Sequence, residues 1–182
     1  IKKSVEMQPL AVQDLSEVGK KLLSKNGYHE IGMDHFALPE DDLALALEEG
    51  TLQRNFQGYS TQADCDLIAL GVSAISRIGD TYAQNHRVLL DYYKALDEQQ
   101  LPLAKGLVMT RDDEIRRAAI HDLLCQSTLN IPSFERAWGM NFTTYFTHDL
   151  AQLQKLECDG LVEVTEDSIN ITPRGRFLAR IV

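Results

Sequence analysis

Residues 32–80 mix polar groups, small residues and aromatics in a way that neither a plain amphipathic helix nor a solvated loop requires. An apolar run at 28–33 delivers an acid and an imidazole at its end, Asp34 and His35. Asn55-Phe56-Gln57-Gly58-Tyr59 then sets two aromatics around a carboxamide and a glycine. Gly71-Val72-Ser73-Ala74-Ile75-Ser76-Arg77-Ile78-Gly79-Asp80 follows as a glycine-flanked run of small and β-branched residues. An α/β barrel carries its chemistry just past the strand ends, so this arrangement predicts the mouth of such a barrel.

The surrounding pattern extends that expectation. Leu15, Val18, Leu22 and Leu23 recur at helical spacing and Asn26-Gly27 ends the run, which predicts a helix over 9–26. A strand over 28–33 follows, then a loop over 34–38. Helix, cap and strand make half of a βαβ unit. The preceding strand is not in the sequence, and the chain opens on Ile1. Both fit a piece of a longer protein. Pro39-Glu40-Asp41-Asp42 opens a short helix with acids in its first turn, where the dipole favours them. Residues 52–60 read as extended or irregular, and 66–71 as a buried barrel strand. Gly79-Asp80 reads as a turn, 86–98 as a helix and 99–103 as a linker holding the domain boundary.

Beyond it, Thr110 and Asp113 have the spacing of a capping box ahead of a helix over 114–125. A short helix starts at Ile131-Pro132 and stops near Gly139, and another helix spans 144–158. Strands at 161–164 and 168–171 and a last helix over 176–182 complete the chain. The predicted class is therefore α/β plus α+β. Residues 1–99 are the last units of a partial (β/α) barrel, and residues 100–182 a winged-helix-like domain. No internal repeat or low-complexity segment is visible.

Charge limits the partners. The 182 residues carry a net charge of −9. Residues 1–110 hold 10 Lys/Arg against 16 Asp/Glu, and residues 111–182 hold 8 against 11. Neither half has the basic excess that nucleic acid or an anionic membrane would need. No apolar run is long enough to cross a membrane, and the first residues lack a signal peptide's apolar core. Cys65, Cys125 and Cys158 are odd in number and widely spaced, unlike a disulfide framework or a zinc knuckle. Free thiols fit a reducing cytoplasm.

Three ordered segments carry a resemblance: Gly32-Met33-Asp34-His35-Phe36-Ala37, Arg54-Asn55-Phe56-Gln57-Gly58-Tyr59 and Gly71-Val72-Ser73-Ala74-Ile75-Ser76. With Leu107-Val108-Met109-Thr110-Arg111-Asp112-Asp113 and Thr172-Pro173-Arg174-Gly175-Arg176, they closely resemble oxygen-independent coproporphyrinogen III oxidases, radical S-adenosylmethionine enzymes of haem biosynthesis. Haem-chaperone-like relatives of the same superfamily are the alternative within it, and their residues differ at Met33-Asp34-His35 and Phe56-Gln57-Gly58. The resemblance implies removal of one hydrogen from each of two propionates of coproporphyrinogen III, with loss of carbon dioxide, to give protoporphyrinogen IX under anaerobic conditions. It also implies S-adenosylmethionine and a 4Fe-4S cluster held on a CxxxCxxC loop. No cysteine here has that spacing. The implied match is to the C-terminal portion alone, so this piece is expected to bind no metal, hold no catalytic residue and be inactive without the N-terminal barrel portion. Cut barrel strands expose edges and apolar surface, which predicts self-association and rearrangement within 52–78.

By the same resemblance Phe56, Gln57 and Ile75 lie at an S-adenosylmethionine and substrate pocket. Gln57 offers both a donor and an acceptor, and Ile75 sits among small residues that let its main chain approach a ring. A capped turn and a core strand are their structural alternatives. Asp34, His35 and Tyr59 are further pocket positions; a turn cap, a backbone-bonded histidine and aromatic core filling are the alternatives. Tyr82 and Trp138 are two more aromatics of a size to flank a flat tetrapyrrole. Arg111, Arg116 and Arg117 have the chemistry to hold carboxylates, but Asp112, Asp113 and Glu114 beside them read as a solvated helix face. A reading from another class is an interaction module built on the hairpin at 161–171. Glu163, Glu166 and Asp167 there oppose nucleic acid.

Overall fold

The computed structural model describes residues 9–63, 65–176 and 178. Helix α1 (Pro9–Lys25) ends where Gly27 takes φ +85, a left-handed position that glycine adopts without a Cβ clash. Strand β1 (His29–Gly32) then turns straight back through Met33 and Asp34 into β2 (His35–Ala37), with Met33 at φ 50. The loop expected at 34–38 is therefore half of a hairpin. Asp41 caps α2 (Asp42–Glu48), its carboxylate accepting from the Leu43 N–H at 2.9 Å. Strands β3 (Gln53–Asn55) and β4 (Gly58–Ser60) form a second hairpin. Asn55 Oδ1 accepts from the Gln57 N–H at 2.8 Å, an Asx turn that fixes the tip.

Strands β5 (Ile75–Ile78), β6 (Thr81–Asn85) and β7 (Leu103–Val108) make an antiparallel sheet with β6 in the middle and α3 (Leu89–Asp97) between β6 and β7 in sequence. Because β7 pairs with β6, this sheet runs across the boundary expected at residues 99–100. No parallel ladder of a barrel is formed among the described residues of 1–99. Every strand pairing among the described residues is antiparallel. Two-residue connections permit only antiparallel neighbours, whereas parallel ones need a long crossover.

The strand expected at 66–71 is likewise replaced by a loop with a single bridge, Leu67 to Arg77. Ile68 and Leu70 are exposed rather than buried. Side chains satisfy the loop backbone in place of a ladder. Ser76 Oγ accepts from the Ala69 N–H at 3.0 Å, Tyr92 Oη from the Gly71 N–H at 3.2 Å, and Asn85 Nδ2 donates to the Gly71 carbonyl at 2.8 Å.

Helix α4 (Arg111–Gln126) opens on the expected capping box: Thr110 Oγ1 accepts from the Asp113 N–H at 3.2 Å, and Asp113 Oδ2 accepts from the Thr110 N–H at 2.8 Å. Then come β8 (Thr128–Asn130), α5 (Ile131–Trp138), α6 (Phe142–Tyr145), α7 (Thr147–Cys158), β9 (Val162–Val164), β10 (Ser168–Ile171) and α8 (Pro173–Arg176). The helix expected over 144–158 is interrupted at Phe146, which leaves helical geometry at φ −97, ψ 24. The last helix expected over 176–182 lies largely outside the described residues. Strand β10 is central between β8 and β9.

Two cores result. The larger gathers Ile115, Ala119, Leu129, Phe134, Phe142, Phe146 and Ile169. Its rings of Phe142 and Phe146 are 4.6 Å apart, and Phe134 meets Phe142 edge-on at 5.6 Å. The smaller gathers Ile31, Ala37, Ala44, Ala46 and Leu52 around Cys125. Helix α4 serves both, giving Ile115 and Ala119 to one and Cys125 to the other, and so fixes the hairpins against the C-terminal unit.

Candidate functional site

A cavity of about 400 Å³ lies where the β3–β4 hairpin, the β5–β6 pair and α4 meet. From α4 it takes Arg117, Ile120, His121 and Leu124, which recur at three- and four-residue intervals and so form one helical stripe. Strand β3 contributes Arg54, the hairpin tip Phe56, and the sheet Arg77 and Tyr82. Phe56 meets Tyr82 edge-on, with ring centroids 5.6 Å apart. Tyr82 Oη accepts from Arg117 Nε at 3.0 Å, so the sheet orients a guanidinium of the helix.

Behind this cavity the two hairpins interlock through glycines. A Cβ at Gly32 would overlap the Tyr59 phenol, and one at Gly58 would sit 3.3 Å from His35 Nε2. Each hairpin thus seats a ring of the other against bare backbone. Tyr59 donates its hydroxyl to the Leu124 carbonyl at 3.1 Å, and Arg54 lies over the Tyr59 ring at 4.7 Å. Burial pushes the Tyr59 phenol up, and the Arg54 charge opposes that shift. His35 packs edge-on to Tyr59 at 5.1 Å. Its Nδ1 is 3.1 Å from Asp34 Oδ1, yet it is enclosed without a hydrogen bond because the geometry is out of line.

These positions distribute the sequence-predicted residues as follows. Phe56 lines the cavity. Gln57 sits next to it on the exposed hairpin tip, outside the lining. Ile75 also lies outside the lining, but shares a face of the sheet with Arg77 two residues on, and with Tyr82 across the pair. His35 and Tyr59 hold the hairpins together, and the Asp34 side chain is exposed. Trp138 packs against the larger core and is not among the residues that line the cavity. The three helix arginines separate: Arg116 pairs with Asp112 at 2.9 Å and Asp149 at 3.2 Å, Arg111 donates to the Trp138 carbonyl at 3.1 Å, and only Arg117 reaches the cavity.

Arg54, Arg77 and His121 are the basic cavity residues that sequence reasoning passed over as site residues. One of them carried a usable signal: Arg77 is two positions from Ile75, and side chains at i and i+2 share a strand face. That rule does not reach from Arg54 on β3 to Phe56 on the turn, and His121 carried no signal.

No group of three or more His, Cys, Asp or Glu among the described residues has the arrangement to hold a metal ion. Cys125 is buried, its thiol pushed up to about 11 by burial, while Cys65 and Cys158 are exposed. An iron–sulfur cluster therefore does not fit this chain's own cysteines.

Residues 109–178 match the family described as HemN C-terminal domain. Oxygen-independent coproporphyrinogen III oxidase of Escherichia coli is 52% identical over 158 residues, covering 87% of this chain and 35% of that protein. The Salmonella typhimurium protein of the same name is 48% identical over 174 residues, covering 94% of this chain and 38% of its own length. The solved structure of coproporphyrinogen III oxidase (HemN) from Escherichia coli, described as a radical SAM enzyme, matches with a TM-score of 0.90 and 48% identity over 100% of this chain and 42% of that one. The chain thus spans less than half the length of these relatives, corresponding to their C-terminal portion.

Proposed function

We propose, on the premise that this chain resembles the C-terminal portion of oxygen-independent coproporphyrinogen III oxidases over nearly its whole length, that it forms the substrate-facing part of such an oxidase. The parent reaction is oxidative decarboxylation of two propionates of coproporphyrinogen III to give protoporphyrinogen IX. The observation that carries this reading is that sequence and fold agree over the entire chain, at 48% identity and a TM-score of 0.90.

In this reading the radical chemistry, with its 4Fe-4S cluster and the barrel that holds it, belongs to the part of the longer relatives that this chain does not span. S-adenosylmethionine, when bound, supplies the hydrogen-abstracting radical. Phe56, Gln57 and Ile75 are the residues of this chain assigned to its pocket. A ring at a cavity lip, a carboxamide on an exposed tip and an aliphatic side chain on the neighbouring sheet face suit an adenine, a ribose and their packing. His35 and Tyr59 hold the wall on which Phe56 and Gln57 stand, with Asp34 at its outer edge. The order helix, strand, three helices and hairpin from α4 to β10 supports a winged-helix-like unit covering the substrate. The cytoplasm is its compartment, and no described helix is long and apolar enough to cross a membrane. Complementation tests the reading: the full-length gene carrying this chain restores anaerobic haem synthesis to an oxidase-deficient strain, and failure to do so refutes it.

The same helix and hairpin order also favours a second reading, a winged-helix interaction module. Glu163, Glu166 and Asp167 are all exposed along its hairpin, where a DNA-reading wing needs Lys or Arg. A gel shift at low salt separates the two, with no retained nucleic acid expected.

A further inference from the structure

The chain has ten arginines in a sequence whose net charge is −9. Three of them, Arg54, Arg77 and Arg117, converge on the 400 Å³ cavity from three different elements, and His121 joins them. Among the described residues, no Asp or Glu lines that cavity. Four of the others are matched: Arg116 has two carboxylates, Arg111 and Arg174 have backbone carbonyls, and Arg136 has the Ser133 hydroxyl. Two of the cavity-lining arginines are less fully matched: Arg54 Nη1 and Arg77 Nε are buried with no hydrogen-bond partner among the described residues.

An enclosed N–H without an acceptor is costly, and like charges side by side add repulsion. Arg54 and Arg77 both line the same space as Arg117, and three guanidinium groups gathered there suit an anion. Guanidinium forks match carboxylates two bonds at a time, and no lysine, the point-charge alternative, lines the cavity. The rest of the lining is Phe56, Met33, Ile120 and Leu124, which suits a ligand whose acid groups hang from an apolar body.

We infer that Arg54, Arg77 and Arg117 form a carboxylate subsite that takes a propionate-bearing edge of the tetrapyrrole; the ligand's identity rests on the oxidase reading, the anion preference on the cavity alone. Tyr82 is a positioning residue, holding Arg117 Nε so that the remainder of its fork faces inward. The methionine carboxylate of S-adenosylmethionine is the other source of the same chemistry, and the test separates them.

The test titrates the full chain with coproporphyrin III, an air-stable tetracarboxylate, by porphyrin fluorescence. In parallel it follows alkylation of Cys65, an exposed thiol at the same cavity. Coproporphyrin III is expected to bind and to slow Cys65 labelling. Arg77→Met and Arg54→Met should each weaken binding about 10-fold or more, the loss expected for a charge-assisted hydrogen bond. Arg77→Lys should recover part of it. Without ligand, Arg77→Met should melt at the same temperature as the parent chain or higher, because a functional strain has been removed. A merely structural arginine would lower it.

Binding that is indifferent to both Arg54→Met and Arg77→Met overturns the subsite while leaving the oxidase reading to its complementation test. Protection of Cys65 by S-adenosylmethionine but not by coproporphyrin III overturns the propionate assignment. Binding of neither probe overturns the subsite outright.

Discussion

Phe134, Phe142 and Phe146 are 5%, 2% and 6% exposed, while Ile68 and Leu70 in the loop before β5 are 71% and 86% exposed. The same contrast holds element by element. In the C-terminal unit, α4, α5, α6 and the β8–β10–β9 sheet close on a full aromatic core. In residues 9–108 the core is the β1–β2 hairpin against the alanines of α2 and Leu52, closed by Cys125 of α4, and all six positions of β7 are exposed. Leu15, Val18 and Leu22 of α1, Leu90 of α3 and Leu101 beyond it are also exposed. Apolar surface of that extent marks an interface. One region buries its own apolar residues; the other displays them, and the arginine cavity lies at the seam between the two.

The widest consequence concerns association. The displayed surface and the free edge of β7 should make the isolated chain self-associate. Light scattering at micromolar concentration checks this, and a monodisperse monomer would dissolve the contrast. Next in size, Phe134→Ala should cost about 3–5 kcal/mol by removing the ring that links both other phenylalanines. Leu52→Ala, at a fully buried site of the smaller core, should cost about 2–4 kcal/mol. Separate melting transitions for the two variants would show that the regions unfold independently.

Thiol reactivity distinguishes the same two surfaces. Burial raises the Cys125 thiol to about 11 from the ordinary 9.0. At neutral pH that leaves about 100-fold less thiolate, so Cys125 should label only on unfolding, while Cys65 and Cys158 label first. Equal rates for the three would mean that the seam around Leu52 is open. At the interlock of the hairpins, Gly32→Ala puts a methyl where the Tyr59 phenol stands and should cost about 1–3 kcal/mol, measured by urea unfolding.

Signals confined to neighbouring residues were the readable ones. The Thr110–Asp113 spacing, the Gly139 stop and the 161–171 hairpin all appear in the structure because caps and short turns are fixed within a few residues. Phe56, which the resemblance singled out, lines the cavity. What failed were inferences about distant pairing. An apolar run at 66–71 has no sequence mark separating a buried strand from a loop whose backbone is held by Ser76, Asn85 and Tyr92. Strand β8 is three residues long, too short to show a period. Arg54, Arg77 and Arg117 meet only because a hairpin, a sheet and a helix converge, which no spacing along the chain displays.

The finest test of the comparison is acid. Asp112 is held below the usual carboxylate range by hydrogen bonds from Tyr145 and then Arg116, and Asp113 by those from the Thr110 backbone and hydroxyl. Each proton therefore binds the unfolded chain more readily than the folded one. The stabilisation is complete above the ordinary value of 3.8 and disappears as pH falls through the lower folded values. Acid should thus loosen the start of α4, and with it the C-terminal unit, at a pH below that ordinary value. Helicity followed by circular dichroism from pH 5 to pH 2 checks this. In Asp113→Asn the acid-dependent part should shrink, because one of the two titrating acids is gone. Thr110→Ala, which removes the hydroxyl that caps the Asp113 N–H, should lower stability by about 1 kcal/mol at neutral pH. If Asp113→Asn retains the full acid slope, then the well-packed half of the molecule owes its acid response to groups other than the box that opens its longest helix.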